Sequence, residues 1–131
     1  MSAAREFVMN GAPAAVADLS RHCIVGFDDT MAGHRAAAWL RQVVPDARIA
    51  ARNSSVLGVL HSVKAGIGLG PLPTAIADAD AGLVRVLGPV AELTRIWRIL
   101  TLPQLRRLPR VAAFFDFMVA EVDALRPILT G

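Results

Sequence analysis

The chain has 131 residues, enough for a single domain, and its fourteen basic and eleven acidic residues leave a net charge of only +3. The basic residues are scattered apart from Arg106, Arg107 and Arg110, which form either a solvated approach to a helix or a phosphate contact. Aromatic residues make up 5%, so neither a nucleic-acid-binding surface nor a stacking platform for single strands is indicated. Hydrophobic residues reach 54%, yet no apolar run approaches the about 20 residues that span a bilayer, so no membrane partner is expected.

The first residues and the cysteine content predict the location of the chain. The start, MSAAREFVMNG, lacks the basic and apolar regions of a secretory signal. The single cysteine, Cys23, permits no internal disulfide, which favours a reducing compartment. Both features predict a cytoplasmic protein.

Short apolar runs predict strands in the first half of the chain. Residues 5–10 form an extended segment, and residues 23–27, CIVGF, and 48–52, RIAAR, are compact strand candidates. Residues 14–22 lie between the first two as a small helix or turn. A helical pattern separates the two later strands, which predicts a parallel sheet with helices on its faces.

The helix between these strands is predicted over residues 33–44, and Pro45 ends it. Its apolar residues recur at helical spacing, and its polar residues lie on the other face. The inward positions are Ala36, Ala37, Leu40 and Val43, and the outward positions are Arg35, Arg41 and Gln42. The residues before it, Asp28, Asp29 and Thr30, suit a helix start.

A second helix follows residue 53 and leads through glycines into a brief strand. Ser54 or Ser55 suits its N-cap, because the hydroxyl accepts a hydrogen bond from an unpaired backbone N–H. Gly66 suits its C-terminal end, where a left-handed backbone is needed. Residues 67–72 then form a short apolar run that ends at Pro73, so this stretch predicts half of an α/β unit.

Further elements are predicted toward the C-terminus. Residues 75–81 form a short helix, and residues 83–87, LVRVL, and 96–102, IWRILTL, form strands. The last helix begins at Pro109, because proline is favourable at the first helical position. Its apolar face carries Val111, Phe114, Phe115, Met118, Val122 and Leu125 at helical spacing.

Residues 54–73, SSVLGVLHSVKAGIGLGPLP, resemble the helix–glycine–strand–proline segment in the effector-binding domain of LysR-type transcriptional regulators. That family continues with a short helix and a strand like LVRVL, and the same order of segments extends over about residues 14–122. The resemblance implies an α/β fold, with a parallel or mixed sheet flanked by helices, of the type II periplasmic-binding-protein-like kind. It also implies crossover strands at residues 6–8 and 99–101.

Compared with a complete regulator of this family, the chain is expected to be incomplete. It corresponds to the second lobe plus the C-terminal helix, without the helix-turn-helix and nearly all of the first lobe. The expected division is residues 1–13 as a crossover segment from the missing first lobe, residues 14–95 as the α/β effector-binding lobe, and residues 96–131 as the return strand and C-terminal helix.

The sequence contains no recognisable catalytic motif. It has no G-x-S-x-G nucleophile elbow and no P-loop. Gly66, Gly68 and Gly70 are spaced GxGxG but follow a helix, so no helix N-terminus is directed at a phosphate. His22 and Cys23 are adjacent, but a metal site needs three or four ligands. We expect no enzyme activity, no cofactor and no metal site.

What remains is a binding face at the carboxyl ends of the strands, where helix N-termini present free N–H groups. Two predicted loops lie there, and their polar side chains can hold a small ligand, for which the helix dipole favours a carboxylate. The resemblance implies effector contacts in the second loop. The candidate effector-binding residues are Asn53, Ser54 and Ser55 in that loop, and Asp28, Asp29 and Thr30 in the first. The same residue types cap helices, so capping and binding stay open as alternatives.

Two functions remain open. The first is a ligand-sensing regulatory module of a LysR-type transcriptional regulator, as a fragment without its helix-turn-helix and without direct DNA binding. The alternative is a stand-alone small α/β binding or interaction protein that pairs with another chain. The wide apolar face of the last helix predicts a homo-oligomer, with an interface that includes Phe114, Phe115, Met118 and Val122.

Overall fold

The computed structural model of the chain describes residues 11–130. It consists of two units, of which the first ends at Thr94 and the second begins at Arg95. The extended segment predicted at residues 5–10 and the crossover predicted at residues 6–8 lie outside the described residues.

A two-stranded parallel sheet lies at the centre of the first unit. β1, Ile24–Phe27, pairs with β2, Ile49–Asn53, and the pairing places Phe27 opposite Asn53. Leu69 makes an isolated parallel bridge to β1, so β1 lies between β2 and Leu69. The predicted α/β class with parallel strands is therefore confirmed. Of the apolar run predicted as a strand at residues 67–72, only the bridge at Leu69 forms.

α1, Arg35–Val43, packs on β1 through the face that its sequence pattern predicts. The predicted inward residues are buried or partly buried, and the predicted outward residues are exposed. Trp39 is buried as well, at 8% exposure, which widens the apolar face. The preceding segment, predicted as a small helix at residues 14–22, contains the 3₁₀ helix Val16–Arg21.

α2, Val56–Lys64, begins and ends at the residues that the sequence predicts. Ser55, one of the two predicted caps, accepts a hydrogen bond from the Gly58 N–H at 3.1 Å. Gly66 follows the helix with a φ of 87°, the left-handed conformation that glycine adopts without steric cost. Val59 and Val63 are the buried residues of α2.

One apolar core joins β1, α1, α2 and the Leu69 bridge. Its buried members are Leu19, Ile24, Val25, Phe27, Ala36, Ala37, Trp39, Leu40, Val44, Val59, Val63 and Leu69. Gly68 allows the chain to pass close to β1, because a methyl group added at Gly68 would come within 2.3 Å of the Cys23 carbonyl oxygen. Close packing of this kind fixes the position of Leu69 beside β1.

The remainder of the first unit is mostly irregular and corrects two predictions. The helix predicted at residues 75–81 is shorter and comprises α3, Thr74–Ala77. The strand predicted at residues 83–87 was wrong, because this segment has no neighbouring strand among the described residues to which it could hydrogen-bond. Its apolar residues Leu83, Val86 and Leu87 instead pack against the core. A 3₁₀ helix, Ala91–Leu93, follows.

Two side-chain pairs hold this irregular segment in place. Asp80 accepts a hydrogen bond from the Lys64 ammonium at 2.6 Å and another from the Gly82 N–H at 2.9 Å. Arg85 pairs with Asp78 through two of its nitrogens. Together these contacts connect the end of α2 to the turn after α3.

The second unit contains α4, Pro103–Arg106, α5, Pro109–Ala120, and α6, Val122–Thr130. The strand predicted at residues 96–102 was wrong, since residues 94–102 form neither helix nor strand. The last helix starts at Pro109 as predicted, but it ends at Ala120, and a new helix begins after Glu121. The Glu121 N–H caps α5 by donating to Phe117, while its carbonyl accepts the Leu125 N–H at 3.0 Å.

Contacts within the second unit involve Arg106 and two neighbouring phenylalanines. Phe114 and Phe115 meet edge to face, with ring centroids 6.1 Å apart. The Arg106 guanidinium lies 4.6 Å from the Phe115 ring centroid, and its Nη2 is 3.4 Å from Asp116 Oδ1. Among residues 11–130, none of the helices combines the length and the apolar character needed to cross a membrane.

Candidate functional site

The carboxyl ends of β1 and β2 bring the two predicted binding loops together. Phe27, the last residue of β1, lies opposite Asn53, the last residue of β2. One residue further along, the Asp28 N–H donates to the Asn53 carbonyl at 3.0 Å, which continues the pairing beyond β1. The loops that begin at Asp28 and Asn53 therefore leave the sheet side by side, at the edge where open α/β sheets bind ligands.

Within the first loop, Asp28 and Thr30 bind each other. Asp28 Oδ1 accepts hydrogen bonds from the Thr30 N–H at 3.0 Å and from the Thr30 hydroxyl. Asp28 thereby caps the 3₁₀ helix Asp29–Met31. Asp29 is exposed, and its carboxylate has no hydrogen-bond or ion-pair partner among residues 11–130. Asp29 is thus the carboxylate of this loop that is open to solvent.

Two contacts fix the position of the first loop. The ring centroids of Phe27 and His34 are 5.2 Å apart, so the end of β1 packs against the residue before α1. The guanidinium of Arg41, a residue in the last turn of α1, donates to the Ala32 carbonyl at 2.9 Å. The loop is therefore attached to the last turn of α1 through Ala32.

The three residues of the second loop have different surroundings. The Ser55 hydroxyl caps α2. Ser54 is exposed, and its hydroxyl has no partner in the part of the chain that the structure describes. Asn53 is partly buried, and its Oδ1 lies 3.3 Å from the Ser62 hydroxyl. A methyl group added at Gly58 would come within 2.9 Å of that same oxygen, so the Asn53 carboxamide packs closely against α2.

Capping accounts for some of the candidate residues but not for all of them. Asp28 and Ser55 each cap a helix, whereas Asp29 and Ser54 have no capping role. The buried Asn53 Nδ2 has no hydrogen-bond partner within residues 11–130. The structure therefore brings all six candidates to one edge of the sheet, where the exposed side chains of Asp29 and Ser54 have no partner among the described residues. Effector binding by these residues stays a prediction.

An open cleft of about 400 Å³ extends from the first loop between α1 and β2. Its apolar lining residues, referred to below as its floor, are Gly26, Phe27, Ala37, Leu40, Val44 and Ile49. The volume falls within the about 300–1,000 Å³ that small-molecule sites occupy. Of the six candidate residues, Asp28 and Asp29 line this cleft, and the other four do not.

Charged side chains of both signs surround the cleft floor. They are Asp28, Asp29, Arg41, Asp46 and Arg52. Arg52 forms an ion pair with Asp46. Arg41 donates to a backbone carbonyl, and no ion pair joins it to a carboxylate within residues 11–130. The sequence pattern places Arg41 on the outward face of α1. The spacing of residues does not show that this position lies beside the first loop.

The other polar residues that the sequence singled out, His22 and Cys23, do not belong to a metal-holding group among the described residues. His22 is buried at 2% exposure, while the neighbouring Cys23 is exposed. Residues 11–130 contain no group of three or more His, Cys, Asp or Glu side chains placed to hold a metal ion. Gly66 and Gly68 serve the turn and the close approach to β1 described above.

The predicted interface residues lie in the second unit, on α5 and α6. Phe114 is 50% exposed and Val122 is 47% exposed, whereas Phe115 and Met118 are partly buried. Three further exposed apolar residues of these two helices are Phe117, Val119 and Ile128. The apolar surface that the sequence predicts is therefore present, and its partner stays a prediction.

A family model described as LysR substrate binding domain matches residues 2–123, which is most of the chain. The chain belongs to this family. LysR substrate binding domains are effector-binding parts of transcription regulators, which are not enzymes, and the resemblance that the sequence indicated is confirmed. Comparisons with curated proteins and with solved structures found no match.

Proposed function

We propose that the chain is the ligand-sensing, effector-binding module of a LysR-type transcriptional regulator and adopts a type II periplasmic-binding-protein-like lobe. The observation that carries this proposal is the hydrogen bond from Asp28 to Asn53, which brings two polar loops to one edge of a parallel sheet. Ligands of open α/β sheets bind outside the carboxyl ends of the strands, at such an edge. Membership of the family supports a small-molecule effector.

The proposed effector contacts divide into direct and supporting residues. Ser54 and Asp29 are exposed and have no partner among the described residues, so they are available to a ligand. Ser55 offers its hydroxyl while it caps α2, and the N-terminal end of that helix favours a negatively charged ligand group. Asn53, Asp28 and Thr30 complete the edge from either side.

This proposal is tested with a panel of small carboxylates, for example pyruvate, succinate and benzoate, titrated into the ¹⁵N-labelled full chain. We expect at least one of them to shift the amide resonances of Ser54 and Ser55. Ser54→Ala should weaken that ligand about fivefold, the loss of one hydrogen bond, because a net hydrogen bond contributes about 1 kcal/mol. Ser20→Ala removes a hydroxyl far from the edge and serves as the control.

If no compound of a broader metabolite library perturbs either loop, the effector-binding function is wrong for this chain. In that case the second candidate gains support. It is a small α/β protein that pairs with another chain, and the exposed apolar residues of α5 and α6 favour it, because large apolar patches usually mark interfaces.

We also propose that the chain acts in the cytoplasm, catalyses no reaction and does not itself bind operator DNA. The Lys and Arg residues of the first unit are scattered, and three of them, Arg52, Lys64 and Arg85, are paired with carboxylates. Gel shifts with the regulator's operator should show at most weak retention that does not depend on DNA sequence and disappears as salt rises. Sequence-selective retention at physiological salt would contradict this prediction.

A further inference from the structure

We propose that the cleft between α1 and β2 binds a small zwitterion with an apolar side chain, that is, a free apolar α-amino acid, with its ammonium at Asp29 and its carboxylate at Arg41. This inference rests on the proposed sensing function and names a ligand class for the cleft, which shares Asp28 and Asp29 with the proposed effector contacts. It starts from the combination of two uncompensated charges with an apolar floor in one cleft.

The two charges at the loop end of the cleft are not satisfied by each other. No ion pair joins Arg41 to Asp29 or to Asp28 within the described residues, although all three line the same cleft. Arg41 donates to the Ala32 carbonyl through Nη2, which leaves further guanidinium N–H groups for a ligand. Asp29 has no partner of its own there. A ligand that carries one charge of each sign satisfies both groups.

Two further charged residues that line the cleft neutralise each other. Arg52 and Asp46 form an ion pair, so they offer no unpaired charge to a second charged group of the ligand. Ala37, Leu40, Val44 and Ile49 also line the cleft, and their side chains are hydrocarbon. A ligand side chain that packs against these residues is favoured when it is apolar.

The size and attachment of the cleft agree with a ligand of this class. About 400 Å³ accommodates an amino acid but is small for a nucleotide or a peptide. Arg41 also attaches the first loop to α1 through Ala32, so a carboxylate that binds Arg41 contacts the same group that positions the loop. Ligand binding would thus act directly on the loop that adjoins Asn53.

The experiment compares L-leucine with analogues that each lack one group, using the full ¹⁵N-labelled chain. The analogue 4-methylpentanoate lacks the ammonium, 3-methylbutylamine lacks the carboxylate, and glycine lacks the apolar side chain. L-Leucine should shift the amides of Gly26, Leu40 and Ile49, and each analogue should bind at least about tenfold more weakly, the loss of one charge-assisted hydrogen bond or of the buried side chain.

Two variants separate a ligand contact from a merely structural effect. Arg41→Gln should weaken L-leucine about tenfold but leave 3-methylbutylamine unchanged, since that analogue has no carboxylate to lose a partner. Asp29→Asn should weaken L-leucine similarly but leave 4-methylpentanoate unchanged. Arg21→Gln and Glu92→Gln change exposed charges away from the cleft and should leave every affinity unchanged.

The outcomes separate this inference from the proposed function. If carboxylates bind at Ser54 with no dependence on Arg41, and L-leucine does not bind, the inference is overturned and the sensing function stands. If Arg41→Gln weakens all ligands equally, Arg41 only positions the loop, and the inference is again overturned. If nothing binds at the sheet edge or in the cleft, both the function and the inference fail. Selective loss of L-leucine binding in both variants supports the inference.

Discussion

Ser54 and Ser55 each carry a hydroxyl, but the two side chains have different roles in the fold. Ser55 accepts the Gly58 N–H and caps α2, whereas Ser54 is exposed and makes no hydrogen bond to the described residues. From the sequence alone either serine suits the cap, because both precede the first apolar residue of the helix. Only the backbone geometry at the helix start assigns the cap to Ser55.

We therefore expect the two serine-to-alanine variants to differ in stability. Ser55→Ala should lower the free energy of unfolding by about 1 kcal/mol through loss of the cap, while Ser54→Ala should leave it unchanged. Urea denaturation of both variants and the wild type measures this difference. Equal loss in the two variants would show that the cap is not at Ser55 alone.

Gly68 gives a second residue-scale prediction. Its missing side chain allows close contact with the Cys23 carbonyl oxygen, to which an added methyl group would come within 2.3 Å. Gly68→Ala should lower the free energy of unfolding by about 1–3 kcal/mol, because the backbone beside β1 must shift to admit the methyl group. Gly33→Ala is the matched control, since a methyl group there meets no atom within 4 Å. Comparable melting temperatures for the two variants would contradict the close approach.

At the scale of whole elements, sequence patterns predicted the ends of helices, which the local residues determine. α1 ends two residues before Pro45, and Gly66 follows α2 in the left-handed conformation. The patterns failed where pairing with a distant segment decides the structure. Residues 83–87 and 96–102 are rich in apolar and β-branched residues, but neither segment pairs with a strand among the described residues. An apolar run predicts that a segment contacts other apolar surface, but it does not identify the segment with which it pairs.

The contact between α2 and the turn after α3 responds to pH. The hydrogen bond from Lys64, followed by that from the Gly82 N–H, holds the pKa of Asp80 below its ordinary value of 3.8. A depressed pKa in the folded state means that Asp80 contributes stability above 3.8, and that this contribution is lost as the pH falls through the folded-state pKa.

Thermal melts of the wild type and Asp80→Asn across acidic pH test this contribution. The wild type should melt at the higher temperature near neutral pH, and the difference should shrink once the pH falls below 3.8. Asp123→Asn is the control, because that carboxylate pairs with Arg126 inside α6. A difference that does not depend on pH would show that Asp80 acts by its shape and not by its charge.

For the molecule as a whole, the exposed apolar residues of α5 and α6 predict self-association. Fully burying one phenylalanine contributes about 1.5–3 kcal/mol, so the half-exposed Phe114 and Phe117 would gain stability from burial in an interface. Phe114→Glu should reduce the average mass in light scattering at high micromolar concentration. Ala113→Glu places the same charge on a neighbouring exposed position of α5 and should have a smaller effect.

A monodisperse monomer for the wild type and for both variants would show that this surface does not join two copies of the chain.

The family could be predicted at this scale from the order of segments, because residues 54–73 and their neighbours are read together. The cleft could not be predicted from the sequence. Arg41 and Arg52 are eleven residues apart in the chain, and they line one cleft only because α1 packs beside β2.

The position of β1 has a consequence for the exchange of its amide protons with solvent. β1 is bonded to β2 along one edge and to the chain at Leu69 along the other, where the Val25 N–H donates at 2.7 Å. Its amides do not lie on an open edge of the sheet, so each of them exchanges only after the neighbour to which it donates has separated. They should be among the slowest to exchange into D₂O, at a rate that reports the global unfolding of the first unit, whereas the amides of α5 and α6 should exchange through smaller, local openings.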